Sequence, residues 1–200
     1  MKKLILGIAA VALAASASFA GDISVGARAA ANFGTVWGDN AEDAPWGFGF
    51  NAGVDGKIGI NDMISVVPEV GVALHRASDD DQTWSSWAIE VPVMARVNVT
   101  PQFFLEVGPS FNFVLTGEME TDMGGITETI DYGSDEIDGL NVFEFAIDAG
   151  LGFSVMPNLD VNFRFAMGLT SIIDMDMGYG MKVDDFKNMG FQLGVTYWFM

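Results

Sequence analysis

The residues of this sequence that could do chemistry are few, because cysteine is absent and histidine occurs once. Without cysteine there are no thiolate metal sites, cysteine nucleophiles or lipid anchors attached through sulfur. His75 stands near Ser78 and Asp79, the three residue types that a serine hydrolase brings together. A solvated loop histidine is the simpler interpretation of His75. We therefore predict that the protein is not an enzyme and needs no cofactor or metal centre.

Acidic residues dominate the charge, with 27 Asp and Glu against 9 Lys and Arg and a net charge of −18. Nucleic-acid binding depends on clustered Lys and Arg, so nucleic acid is excluded as a partner. Carboxylate oxygens in two acidic runs are candidate ligands for Ca²⁺ or Mg²⁺. No run has the spacing of a defined calcium loop, and a solvated surface is the favoured interpretation. The candidate cation-binding residues are Asp79, Asp80, Asp81, Asp135, Glu136 and Asp138.

The first twenty residues have the features of a signal peptide. Met1, Lys2 and Lys3 form a basic start, and the apolar run 4–15 is shorter than the roughly twenty residues that span a bilayer. Ser18 and Ala20 are the small residues that a signal peptidase recognises. We predict removal of residues 1–20 and a single domain over 21–200, the alternative being an N-terminal membrane anchor.

The elements that position the charged residues alternate with a period of two, the pattern of strands with two unlike faces. Helical patterns are not evident. In segments with two charges, such as Asp55 with Lys57 or Glu144 with Asp148, both lie on the face opposite to the Phe, Val, Leu and Ile residues. Eight such segments occur, near residues 22–33, 48–58, 64–74, 87–99, 103–115, 143–155, 159–169 and 189–199.

The choice of the outward face decides the fold. An eight-stranded barrel has room inside for few bulky side chains, so the apolar face must point outward. Such an exterior suits lipid, which only helices and closed barrels can span. We predict an all-β fold, an eight-stranded antiparallel up-and-down transmembrane β-barrel in the outer membrane. A soluble lipocalin-like barrel with its faces reversed is the alternative.

Connections of unequal length support this fold. Short connections at 60–62, 100–102 and 156–158 alternate with long ones, as periplasmic turns alternate with extracellular loops in bacterial barrels. The long connections are 34–47, 75–86, 116–142 and 170–188. We expect aromatic girdles at both lipid–water interfaces. Their members would be Trp37, Trp46, Trp84 and Trp87 at the outer rim and Phe103, Tyr197, Trp198 and Phe199 at the inner rim.

The inward charges predict a network, because a charge buried in a narrow barrel is costly unless it is paired. A three-residue turn at 100–102 would place Arg96 opposite Glu106, and Arg164 should lie diagonal to Asp148. A packed electrostatic plug is favoured over a polar conduit for ions, since eight strands leave little lumen. The predicted network comprises Arg28, Glu69, Glu90, Arg96, Glu106, Asp148 and Arg164.

Three prolines, Pro68, Pro92 and Pro109, lie inside successive predicted strands. Proline cannot donate a hydrogen bond to a ladder, and a closed barrel has no free edge to accommodate it. We predict bulges or skipped hydrogen bonds at these positions.

Several motifs resemble the PorT-like outer-membrane β-barrel family. Residues 87–96 (WAIEVPVMAR) are similar to its "LEIP" strand and residues 104–110 (FLEVGPS) to its "EAGP" strand. Residues 162–170 are similar to its "RYxxGL" segment, and 197–199 (YWF) to its aromatic C-terminus. The resemblance implies the same barrel fold and no particular activity. The residues that match the family's motifs include Glu90, Pro92, Glu106, Pro109 and Arg164.

Taken together, these features predict a structural or surface-interaction protein with a plugged polar interior and acidic extracellular loops. The partners expected are outer-membrane lipid, the barrel-assembly machinery through the C-terminal strand, and an unidentified extracellular partner. The competing functions are a narrow channel for small solutes and a lipid-modifying enzyme.

Overall fold

The computed structural model describes residues 23–38, 44–78, 82–122, 127–133, 142–171, 173–176 and 182–199. Regular structure in these ranges consists of β-strands. No helix among the described residues is long and apolar enough to cross a membrane. The strands are β1 (Ile23–Trp37), β2 (Gly47–Gly59), β3 (Ile64–Ser78), β4 (Gln82–Asn98), β5 (Phe103–Asp122), β6 (Thr127–Gly133), β7 (Phe143–Met156), β8 (Leu159–Gly168), β9 (Ile173–Asp176) and β10 (Lys182–Phe199).

Eight of the described strands form a closed antiparallel barrel in the order β1-β2-β3-β4-β5-β7-β8-β10. The barrel closes because β10 pairs with β1, from Val25 opposite Phe199 to Trp37 opposite Lys187. This arrangement confirms the predicted fold class. Strand β6 pairs with the outer part of β5, and β9 pairs with the first residues of β10.

The two faces of the sheet differ as the alternation predicts. Side chains on the apolar face are exposed, for example Phe48 at 65% and Leu193 at 58%, whereas Glu106 and Arg164 are 3% and 1% exposed. In a closed sheet, the buried face is the interior. The apolar exterior therefore matches lipid and contradicts the reversed, soluble barrel.

Strands extend further at the long-connection end than the sequence predicts. β3 continues to Ser78 and β5 to Asp122, so part of the 75–86 and 116–142 connections is strand rather than loop. β6 and β9 lie inside predicted loops as well. These extensions lack the apolar alternation of the barrel wall, because they are not required to contact lipid on one face.

The prolines interrupt the ladders without shifting their register. Pairing of β3 with β4 passes from Pro68–Val93 directly to Gly71–Glu90. Pairing of β4 with β5 passes from Pro92–Ser110 to Ala95–Val107. Of the two predicted outcomes, the structure shows skipped pairs, and the described register shifts occur elsewhere.

One predicted girdle member is wrong. Trp198 is 4% exposed and belongs to a buried cluster with Val67 and Met94. It faces inward because it alternates with Tyr197 and Phe199, which are about half exposed on the lipid side. At the opposite end Trp46 is 43% exposed and stacks on Phe33, with ring centroids 4.9 Å apart.

Candidate functional site in the barrel interior

The interior near the short turns is filled by an inner layer of Val67, Met94, Arg96, Phe104 and Trp198. The Arg96 guanidinium lies 3.9 Å from the centroid of the Phe104 ring and 5.5 Å from that of Trp198. Phe104 is 1% exposed, and a Cβ at position 152 would collide with its ring, so a glycine is needed there. Apolar packing and a cation–π contact therefore occupy this layer together.

Ionic hydrogen bonds connect the inner layer to the strands around it. Arg96 Nη2 lies 2.7 Å from Glu106 Oε1, and its Nη1 lies 2.7 Å from Asp160 Oδ2. Trp198 Nε1 donates to the same Asp160 Oδ2 at 2.8 Å. Arg96 and Glu106 face each other in the β4–β5 register, as the hairpin geometry predicts.

A central charge cluster of Arg28, Glu69, Glu106 and Arg164 lies among β1, β3, β5 and β8. Arg164 Nη2 donates to Glu69 Oε1 at 2.5 Å and to Glu106 Oε2 at 2.8 Å. Arg28 pairs with Glu69 and also donates from Nη2 to Gln192 Oε1 at 2.9 Å. Since these four strands are not neighbours in the barrel, the contacts cross its interior.

Toward the long connections, the interior widens into a cavity of about 200 Å³, here called the outer vestibule. Glycines at inward positions, such as Gly34 and Gly190, leave this end hollow because they place no side chain in it. A glycine is also needed at position 168, because a Cβ there would collide with the Glu144 carboxylate and the Asn188 backbone. Polar lining residues include Asn32, His75, Glu90, Asn112, Glu144 and Asn188.

The two vestibule carboxylates differ in how they are satisfied. Glu90 Oε1 lies 3.2 Å from His75 Nε2, and Glu90 Oε2 accepts from Asn51 Nδ2 at 3.0 Å. Glu144 Oε2 accepts from Asn188 Nδ2 at 3.0 Å. Among the described residues, Glu144 Oε1 has no hydrogen-bond partner although it is buried, and the same holds for both side-chain amide atoms of Asn32.

The structure buries all seven predicted network residues in the interior but does not join them into one cluster. Glu90 lies in the vestibule with His75 rather than with the arginines. Asp148 is diagonal to Arg164 in the β7–β8 register, but the two form no described ion pair. Asp160 and Trp198 also take part in the interior hydrogen bonds, although the predicted network omitted them. Their inward positions in the strand alternation could have indicated this.

Of the three residues of the hydrolase-type group, the structure describes the side-chain contacts of His75 alone. The described partner of His75 is Glu90, on the neighbouring strand β4, and Asp79 lies outside the described residues. Residues 1–20 are outside them too, as are the six candidate cation ligands Asp79, Asp80, Asp81, Asp135, Glu136 and Asp138. In the part of the chain that the structure describes, no three His, Asp or Glu residues are grouped so that they could hold a metal ion.

A family model described as "Outer membrane protein beta-barrel domain" matches residues 14–174. The chain belongs to this family. It is an outer-membrane β-barrel protein, and its location is the cell outer membrane. No curated protein sequence matches it significantly.

Solved structures with the same fold include one from Neisseria and two of a protein from Yersinia pestis. Neisserial surface protein A is 14% identical, with a TM-score of 0.59 over 89% of this chain and 99% of that one. Ail, the attachment invasion locus protein of Yersinia pestis, is 17% identical, with a TM-score of 0.50 over 90% of this chain and 100% of that one. Ail has also been solved with the heparin analogue sucrose octasulfate, at 16% identity and a TM-score of 0.51 over 89% of this chain and 99% of that one. At these identities the likeness establishes the fold alone.

Proposed function

We propose that this outer-membrane protein is a surface-interaction barrel whose lumen is closed by its own side chains, and that it is neither a solute channel nor an enzyme. The central charge cluster carries this proposal. Arg164 bridges Glu69 and Glu106 from strands that do not adjoin one another, and all three side chains are almost completely buried.

Two successive layers support a closed lumen. An ion moving along the axis would first have to separate the Arg164 guanidinium from two carboxylates. The hydrogen bonds between these groups are charge-assisted and about twice as strong as hydrogen bonds between neutral groups. It would then meet the inner layer, where Phe104 and Trp198 flank Arg96. Because eight strands enclose little more than their own side chains, few water molecules could hydrate it there.

The opposite end supports a surface-interaction role. Strands β5 and β6 continue past the last β5–β7 pair, and residues 116–142 contain no Lys or Arg. A surface of one sign attracts partners of the other sign and accelerates their encounter. We therefore propose a basic protein surface as the extracellular partner. The acids are Glu118, Glu120, Asp122, Glu128, Asp131, Asp135, Glu136 and Asp138.

Conductance across planar bilayers tests the closed lumen. We expect purified protein, shown by gel mobility to be folded, to give no steady open state. A stable open conductance would favour the narrow channel instead. Lipid analysis of cells that produce the protein tests the absence of lipid-modifying activity, and we expect lipid species identical to those of cells without it.

Assignment to the PorT-like outer-membrane β-barrel family is also a proposal. Its support is the motif set around Glu90, Pro92, Glu106, Pro109 and Arg164. We also propose that the signal peptide is cleaved after Ala20 and that the assembly machinery recognises the last strand. Mass spectrometry of the protein from outer membranes tests the cleavage, with Gly21 expected as its first residue.

A further inference from the structure

The outer vestibule contains hydrogen-bonding atoms that the described protein groups leave unsatisfied. Glu144 is 4% exposed and Asn32 is 6% exposed, and both line the cavity. Glu144 Oε1 and both side-chain amide atoms of Asn32 lack a partner. Buried polar groups are nearly always satisfied, so these atoms point to a bound species.

The charge of the lining selects the kind of species. Two carboxylates, Glu90 and Glu144, line the cavity together with two basic side chains, the exposed Arg76 and His75, which contacts Glu90 and not Glu144. The carboxylate oxygens of Glu90 are already engaged by His75 and Asn51, whereas Glu144 keeps one oxygen free of described partners. A cationic hydrogen-bond donor would satisfy that oxygen and offset the cost of its burial.

We propose that the vestibule binds a small organic cation, a primary alkylamine whose ammonium group donates to Glu144 Oε1 and whose second polar group pairs with the Asn32 amide. The cavity of about 200 Å³ has room for a short aliphatic chain, and Ala146 and Ala166 provide apolar lining for it. An organic ammonium fits better than a metal ion, because the described lining offers no group of three metal-ligating side chains.

The site is independent of the surface-interaction role. The central charge cluster lies beneath the vestibule, so the ligand would be held at the outer end of the barrel rather than passed through it. Binding and conductance can therefore fail separately: a closed barrel without amine binding refutes this inference alone, and an open barrel refutes the closed lumen alone.

Calorimetric titration of the folded, full-length protein in detergent micelles tests the proposal with four-carbon probes of graded charge. The probes are putrescine, 4-aminobutan-1-ol, butane-1,4-diol and succinate. We expect both amines to bind and the diol and succinate to bind at least tenfold more weakly. Equal binding of the diol would overturn the proposal, as would tighter binding of succinate.

Matched variants locate the site. Glu144→Gln keeps the shape and removes the charge, and it should weaken putrescine binding at least tenfold. Asp62→Asn removes the same charge from an exposed position in the short turn after β2, and it should leave binding unchanged. Asn32→Ala should weaken 4-aminobutan-1-ol binding several-fold.

Three outcomes of the variant series overturn the proposal. One is unchanged amine affinity in Glu144→Gln, and another is an equal loss in Asp62→Asn. The third is Ca²⁺ competing with putrescine at equal concentration in a manner that depends on Glu144, since this would make the site a metal site. Gel mobility before and after heating verifies that each variant is folded, so lost binding can be assigned to the site.

Discussion

Arg164 connects two sides of the barrel interior, since it is 1% exposed and bonds to two carboxylates at once. Replacing it with Met leaves Glu69 and Glu106 buried with fewer counter-charges. Removing one partner of a buried ion pair typically costs about 3–5 kcal/mol. We expect Arg164→Met to lower the free energy of unfolding by that amount, measured by urea denaturation in lipid vesicles with tryptophan fluorescence.

The control for this prediction is Arg76→Met, which removes the same charge at an exposed position. A surface substitution should change stability by less than about 0.5 kcal/mol. Equal losses in the two variants would show that the central charge cluster adds nothing beyond net charge.

Trp198 tests the inner layer and shows how a local pattern can mislead at the residue scale. Its position beside Tyr197 and Phe199 suggested an interfacial aromatic, but its place in the alternation turns it inward, where it donates to Asp160. Trp198→Phe keeps a ring and removes this bond to a charged group, which is worth about 1.5–3 kcal/mol. We expect a stability loss of that size by the same denaturation assay, and Tyr197→Phe, on the lipid face, should cost much less.

At the scale of elements, β6 pairs with β5 alone among the described strands, so the barrel should not depend on it. A short Gly-Ser linker in place of residues 118–132 removes β6 and four β4–β5 pairs at the outer end of the barrel, from Ser85–Glu118 to Gln82–Thr121. We expect the remaining pairs to leave a barrel that still shows heat-dependent gel mobility. Surface binding of a basic probe, polylysine at low salt, should fall in this variant because the linker removes five acidic residues, Glu118, Glu120, Asp122, Glu128 and Asp131. A full-length variant with Asn and Gln at the acidic positions separates lost charge from lost length. Unfolding of the shortened protein would show that the outer hairpin supports the barrel.

The sequence predicts the strands of the barrel wall well and their outer extensions poorly, and one physical cause explains both. Lipid on one side of the wall and packed side chains on the other impose alternation on a segment such as 189–199. Beyond the membrane this constraint ends, so β6 and the outer part of β5 carry no such pattern. The effect of the prolines is predictable in part. Because proline lacks an N–H donor, the sequence predicts interrupted ladders, but it does not distinguish skipped pairs from bulges.

For the whole molecule, the ionic contacts inside the barrel are of two kinds. Arg96 and Glu106 are neighbours across one short turn, so their register follows from the sequence. Arg164 and Glu69 meet across the barrel, and their contact depends on how far the strands are staggered around its circumference. No local pattern encodes that stagger, and for the same reason the sequence does not reveal the vestibule and its unsatisfied Glu144 oxygen.

The orientation of the whole barrel can be tested with single cysteines, since the chain has none of its own. Asp80→Cys lies in the connection between β3 and β4, Asp62→Cys in the exposed turn between β2 and β3, and Val107→Cys at a 54% exposed position on the outer wall. We expect a membrane-impermeant maleimide to label position 80 in intact cells and position 62 only after the outer membrane is permeabilised. Position 107 should resist the reagent in both cases, because lipid covers it. Labelling of 62 but not 80 in intact cells would reverse the orientation, and rapid labelling of 107 would show that the apolar wall faces water.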